Sequence, residues 1–339
     1  MNDQTQLDRP VTVEDIPNML SIVGAPRCGT TSLAFLLRQH PEVNFPYVKE
    51  PHFFSRFNLN GADDAELRER VEGEYLDRFF FKRVKGTKVA VDGSVSYLYA
   101  PEQMKPILRL WPDAKFIIAV RDPMKMLPSY HQRLLVTGDE TLQRFEDAWA
   151  ATTDRAQGRR IPRSAIDPRA LRYDEVARYA THAETFINAV GRDRIFFSVF
   201  DDLVADPVAQ YRKMCEFIGL EPWGETNFAR EREGRGVRVP ALQRLLMRPP
   251  VITRKLLAGD KYRQRVRKVG PRKEDSAFVK RVFEFREKLI HWNKTPLVRV
   301  PIPVAVQQDI RDKLSGEIER LGLMLGRDLS HWLKVEEQN

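Results

Sequence analysis

The chain has 339 residues, 42% of them hydrophobic, enough to bury the core of a large α/β domain. Lys and Arg outnumber Asp and Glu by 56 to 47, a net charge of +9, which points to an anionic substrate or surface. No apolar run reaches the ~18 residues that span a bilayer, the only cysteines, Cys28 and Cys215, outline no disulfide framework, and residues 1–10 are polar, without the apolar stretch of a signal peptide; together these imply a reducing, cytoplasmic setting.

In chain order, Met19-Leu20-Ser21-Ile22-Val23 reads as a buried strand, and Leu33, Leu36 and Leu37 recur at helical spacing after it. Between them stands Gly24-Ala25-Pro26-Arg27-Cys28-Gly29-Thr30-Thr31-Ser32. Two glycines where a buried strand turns into a helix make a cradle for an anion, because the first amides of a helix point outward and its dipole favours negative charge. The glycines have Walker spacing, yet Thr30 stands where the Walker lysine belongs, and the nearby cation is Arg27, inside the loop. Further strands are expected near 88–92, 115–120 and 195–199, alternating with helices, as a three-layer α/β/α fold of P-loop-like type around a mainly parallel sheet. The strand Lys115-Phe116-Ile117-Ile118-Ala119-Val120 runs into Arg121-Asp122-Pro123, and a helix follows through Leu127, Tyr130 and Leu134. Ser129 lies eight positions beyond Arg121, just over two helical turns. Apolar stripes at 208, 211, 215 and 218 and at 310, 314, 318, 321 and 325 read as core faces of two later helices.

Pro26-Arg27-Cys28-Gly29-Thr30-Thr31 resembles the 5′-phosphosulfate loop of sulfotransferases that use 3′-phosphoadenosine-5′-phosphosulfate (PAPS), in which Arg27 falls on a usual lysine and Cys28 on a usual serine. The Arg121/Ser129 pair is similar to that family's 3′-phosphate motif. His40-Pro41-Glu42-Val43 with Lys49-Glu50-Pro51-His52-Phe53-Phe54 resembles the segment after the first helix in members that act on sugar hydroxyls; the likeness spans about residues 18–333. It implies that Arg27, Cys28, Gly29, Thr30, Thr31 and Ser32 hold the 5′ end of PAPS, and that Arg121 and Ser129 hold its 3′-phosphate. It also implies that Glu50 takes the acceptor's proton, with His52 as the competing base and Arg27 beside the leaving group. Lys49 could approach the sulfonyl group, but the expectation is that it points away from the site, opposite to Glu50, as neighbours in an extended segment do. Sugar-acting members often carry a lysine where this chain has Gly93, so either another cation substitutes there or the acceptor differs from theirs; Ser94 and Tyr97 are candidates for lining the acceptor pocket. A late arginine that meets the 3′-phosphate is sought in the Gly-rich loop Gly234-Arg235-Gly236-Val237-Arg238, at Arg235 or Arg238.

The domain expectation is a single unit, 1–339, with an N-terminal extension at 1–17, a lid-like insertion at 137–170 containing Arg155, Arg159, Arg160 and Arg163, and a basic helical region at 240–300. Nine Lys/Arg against one acid in 254–273 would suit peripheral contact with an anionic membrane; no nucleic-acid-binding signature accompanies them. The six histidines show no metal-ligand spacing and the chemistry calls for no metal. The expected activity is transfer of a sulfonyl group from PAPS to a hydroxyl of a carbohydrate, lipid or secondary metabolite, a small-molecule or glycan acceptor. A P-loop-type nucleotide kinase or NTPase and a non-catalytic nucleotide-binding module are the alternatives.

Overall fold

The computed structural model describes residues 10–80, 86–228, 235–248, 277–296 and 300–335. These divide into two compact units where the sequence reading has one domain: Met1–Arg121 with Tyr179–Glu231, and Asp122–Arg178 with Arg232–Asn339. Among the described residues, no helix is long and apolar enough to cross a membrane.

The first unit is built on a five-stranded sheet of order β2-β3-β1-β4-β5, every neighbouring pair parallel. The strands are β1 (Met19–Gly24), β2 (Val43–Asn44), β3 (Val89–Asp92), β4 (Lys115–Val120) and β5 (Ile195–Val199). Strands covered by helices on both faces need near-continuous apolar sequence, and β1 and β3 are buried at every position. The helix Thr30–Arg38 buries Leu33, Ala34, Leu36 and Leu37, the spacing read from the sequence. It packs with the helix Pro207–Ile218, while Lys105–Leu110 packs with Tyr179–Val190, whose Phe186 meets Phe116 of β4 edge-on at 5.3 Å between ring centroids. The fold is the expected three-layer α/β/α arrangement. All four expected strands form; β2, two residues long, is too short to carry an alternation signal. In Pro207–Ile218 the residues Tyr211, Cys215 and Ile218 are buried as expected, whereas Val208 is exposed in the first turn.

The sheet order sets the location of the site. From β1 the chain passes to β2 and β3 on one side, then to β4 and β5 on the other, so the direction of winding reverses at β1. Open parallel sheets leave a crevice at such a reversal, beyond the carboxyl ends of the strands. Residues 24–29, 93–98 and Arg121 all leave from those ends.

The second unit is mainly helical: Pro123–Thr137, Phe145–Ala150, Thr152–Ala156, Pro240–Met247, Ala277–Trp292 and Val304–Leu325 are its longer elements. Asp122 caps the first of these by accepting from Met124 N at 2.9 Å, and Gly138, at φ +76°, closes it. The expected late stripe is confirmed at Ile310, Leu314, Ile318 and Leu321, all buried. One expectation is corrected here. Arg235–Val237 is not a loop but β6, paired antiparallel with β7 (Lys294–Pro296) through Arg235↔Pro296 and Val237↔Lys294. Within 137–170, the Arg155 guanidinium is fully buried against Glu140 at 2.8 Å, while Arg159 and Arg160 pair with Asp154. The basic stretch 254–273 lies outside the described residues.

Candidate active site

The loop after β1 owes its shape to its glycines. Gly24 has φ +150°, and a Cβ there would come within 3.1 Å of Val95 O and 3.0 Å of Leu98 Cβ. Gly29 has φ +89°, and its Cβ would come 2.9 Å from both Phe200 Cδ2 and Leu203 Cδ2. Both positions therefore exclude a side chain on backbone and packing grounds at once. Arg27 also lies in the left-handed region, at φ +65°, and its side chain is exposed. Cys28 turns the other way. Its thiol is fully buried 3.5 Å from Tyr179 Oη, and burial pushes its pKa up to about 12. Residue 28 thus presents its backbone, and not its side chain, to the loop's outer side, and the buried thiol is held in its protonated, unreactive form. Gly29 begins the helix without any side-chain cap, leaving the first amides of Thr30–Arg38 to be satisfied from outside the helix.

Arg121, at the end of β4, joins this loop from the neighbouring strand. Its Nη1 donates to Arg27 O at 3.2 Å, and its guanidinium lies over the Phe200 ring at 4.2 Å, the ring that also crowds Gly29. The loop and the arginine of the second motif, read separately in sequence, therefore meet in the first unit. Ser129 lies half-buried on Pro123–Thr137 in the second unit. The second unit also holds the strand residue Arg235 and the exposed Arg238, whose guanidinium lies over Trp292 at 4.9 Å.

The third part is the segment 49–55 against the turn after β3. His52 adopts φ +55°, so the segment is not extended, and the expectation that Lys49 points away from Glu50 is corrected. Lys49 Nζ lies 3.1 Å from Glu50 Oε1, 3.3 Å from Gly93 O and 3.5 Å from Thr30 Oγ1. On its other side, Glu50 Oε2 is 3.4 Å from His52 Nε2. His52 N donates to Ser94 Oγ at 2.8 Å, and His52 Nδ1 is 2.7 Å from Ser96 Oγ.

Hydroxyl geometry assigns the protons in this cluster. Ser55 Oγ donates to His52 O at 3.2 Å, so its contact with Ser96 Oγ at 2.7 Å takes its proton from Ser96. Ser96 Oγ must then accept from His52 Nδ1–H. That leaves Nε2 facing Glu50 Oε2 at 3.4 Å. Glu50 and His52, competitors for one role in the sequence, thus stand side by side, with side chains only 25% and 13% exposed.

Ser94 and Tyr97 support this cluster from beneath and do not line a pocket. Both are fully buried. Asp92, at the end of β3, accepts from Tyr75 Oη, Tyr97 Oη and Ser94 N, each at 2.8 Å. Burial raises the Asp92 pKa against these hydrogen bonds, and burial likewise lifts Tyr75 and Tyr97 well above the ordinary phenol value. The residues that sequence reasoning missed are Ser55 and Ser96; Lys49 it considered and placed on the wrong side. The clustering of Ser94, Ser96 and Tyr97 just past a buried strand was the available signal for the last.

A parallel sheet with a glycine-shaped anion cradle, an arginine linked to it and a carboxylate–imidazole pair at the same edge defines an α/β protein of the group-transfer class. A profile of the sulfotransferase family matches residues 20–225, more than half of the chain, and the chain belongs to that family. It is 28% identical over 205 residues to mouse heparan sulfate glucosamine 3-O-sulfotransferase 3B1, covering 59% of this chain and 45% of the relative. With mouse carbohydrate sulfotransferase 15 it shares 25% identity over 254 residues, 60% of this chain and 44% of that one. The chain therefore spans less than half the length of these curated relatives. A sulfotransferase structure from Alicyclobacillus acidocaldarius superposes with TM-score 0.56 at 22% identity, covering 93% of this chain and 98% of that chain, and shares the fold.

Proposed function

We propose that this protein moves a sulfonyl group from PAPS to a hydroxyl of a carbohydrate acceptor. The observation that carries the proposal is the meeting of a cradle hydroxyl, Thr30 Oγ1, with the ammonium of Lys49, which in turn contacts the carboxylate of Glu50. Sulfonyl transfer needs an anion-binding loop, charge to neutralise the leaving phosphate, and a base for the acceptor's proton, all held in fixed positions. The first amides of Thr30, Thr31 and Ser32 and the backbone of Cys28 and Gly29 suit the 5′-phosphosulfate, with Arg27 at the rim. Arg121 suits the 3′-phosphate, as a fork of donors already oriented by Arg27 O and Phe200. For Ser129, Arg235 and Arg238 the family resemblance supplies the only argument. Glu50 is the base, and His52 Nε2 stands 3.4 Å from its Oε2. Relatives named for heparan sulfate and carbohydrate substrates support a sugar hydroxyl as acceptor over a lipid or secondary metabolite.

The test is thermal. Adenosine 3′,5′-bisphosphate (PAP), the product of the donor, should raise the melting temperature, by about 2.7 kcal/mol of added stability at a hundred times its Kd. ATP with Mg2+ should raise it far less. Arg121→Ala should weaken PAP binding about 10- to 100-fold, as loss of hydrogen bonds to a charged group does. A larger shift with ATP than with PAP would favour the nucleotide-kinase alternative and end the sulfotransferase reading.

A further inference from the structure

We propose that Lys49 is the catalytic cation of this site: its ammonium contacts the sulfonyl group in flight and the phosphate oxygen that departs. The inference rests on the donor reading above. Lys49 Nζ has three protons and three acceptors around it: Glu50 Oε1 at 3.1 Å, Gly93 O at 3.3 Å and Thr30 Oγ1 at 3.5 Å. The contact to Thr30 is the longest, and it faces the cradle. An incoming sulfonyl or phosphate oxygen replaces that contact at least cost, while Glu50 and Gly93 O keep the ammonium in place. The side chain is 23% exposed, so the charge is partly desolvated and acts more strongly than it would in water.

Gly93 makes the room for this arrangement. A Cβ there would lie 3.0 Å from both Cγ and Cε of Lys49 and 3.1 Å from its carbonyl oxygen. Its φ lies outside the left-handed region, so the backbone admits a side chain and only the Lys49 stem forbids one. Gly93 N also donates to Lys49 O at 3.0 Å, which fixes where that stem begins. The ammonium is thus aimed by packing along its length. In the step itself the acceptor oxygen attacks sulfur, and the bond from sulfur to the 5′-phosphate oxygen breaks. The electron pair leaves on that oxygen as PAP, and the acceptor's proton goes to Glu50. Lys49 stays protonated throughout and stabilises the charge that builds on the leaving oxygen.

The experiment follows PAP release from PAPS, with and without heparan sulfate as acceptor, beside PAP binding by thermal shift. Lys49→Met should lose about 100-fold or more in turnover, as removal of one preorganised donor to a developing oxyanion does, while the PAP-induced shift persists. Gly93→Ala, which crowds the stem and leaves the charge, should lower turnover about 10-fold and also keep PAP binding. Gly93→Lys placed on Lys49→Ala should recover part of the loss, since the new stem fills the vacated space. Lys49→Met combined with Glu50→Gln should lose more than either change alone. Wild-type turnover in Lys49→Met would overturn the proposal. So would parallel loss of PAP binding, which makes Lys49 a binding residue, or a double variant no worse than Glu50→Gln, which makes it a holder of the base. Absence of any PAP response in the unaltered protein would instead remove the donor reading, and this inference with it.

Discussion

The protein contains two charged clusters built from similar residue types and put to opposite uses. In the second unit, Glu140 and Arg155 face each other at 2.8 and 2.9 Å with both side chains fully buried, and Tyr173 Oη, Thr141 N and Leu142 N fill the remaining carboxylate positions. In the first unit, Lys49, Glu50 and His52 stay 23%, 25% and 13% exposed, Glu50 contacts both of the others, and His52 occupies a left-handed backbone. A sealed, fully satisfied pair resists change; an open, strained and coupled one can exchange protons and partners. A sealed cluster marks structure, and a partly exposed one on a strained backbone at a sheet's carboxyl edge marks chemistry.

Arg155→Met breaks the sealed cluster and should cause the largest effect, about 3–5 kcal/mol of lost stability by chemical denaturation, because a buried carboxylate loses its partner. The pH dependence sharpens this. Burial pulls the Glu140 pKa up, but hydrogen bonds from Arg155 and the amides outweigh it and hold the group below the ordinary glutamate value. Its stabilisation is therefore present above about pH 4.3 and lost as the pH falls through the lower folded value. In Arg155→Met burial acts without the guanidinium, the folded carboxyl rises above its unfolded value, and the penalty is relieved by acid. The stability gap between the two proteins should narrow from pH 7 toward pH 4. A constant gap would show that the pair's ionisation is not what the substitution disturbs.

Glu50→Gln breaks the open cluster and should do the reverse: about a 100-fold loss of turnover, the lower end of general-base effects, with stability changed by under about 1 kcal/mol, as for other partly exposed pairs. Unfolding comparable to that of Arg155→Met would erase the distinction between the clusters. Unchanged turnover would remove Glu50 as base.

How far each cluster could be read from sequence follows from how local its causes are. Gly24 and Gly29 were legible because strand, turn and helix are contiguous, and each glycine answers a backbone requirement within that turn. Arg121 was legible for the same reason, as the exit of a plainly apolar strand. Lys49 was misjudged because alternation of sides holds only in extended chain, and His52 at φ +55° ends it. The partners of Lys49, Thr30 and Gly93, lie 19 and 44 residues away, and nothing local announces them. The burial of Arg155 was not legible, because its partner Glu140 stands 15 residues away and both also meet Tyr173 or the nearby Leu171. Arg235–Val237 looked like a loop because its glycines weaken strand propensity; the ladder to Lys294–Pro296 is a long-range contact that overrides it.

The finest distinction concerns Ser96, which sits in the open cluster without touching Glu50. Ser55 commits its proton to His52 O, Ser96 commits its own to Ser55, and His52 Nδ1–H donates to what remains of Ser96. Ser96→Ala deletes the acceptor and frees the ring to present either nitrogen to Glu50. Water can replace the lost hydrogen bond at a partly exposed ring, so the cost should be about 1 kcal/mol, a fall in kcat of about 5-fold with KM for PAPS unchanged. The signature is the pH profile: with the tautomer no longer held, the acid limb of kcat should move, and Ser96→Thr, which keeps the hydroxyl, should restore it. A fall in kcat with an unmoved profile would mean that Ser96 only shapes the turn, and that the proton on His52 is not set by the hydroxyl chain behind it.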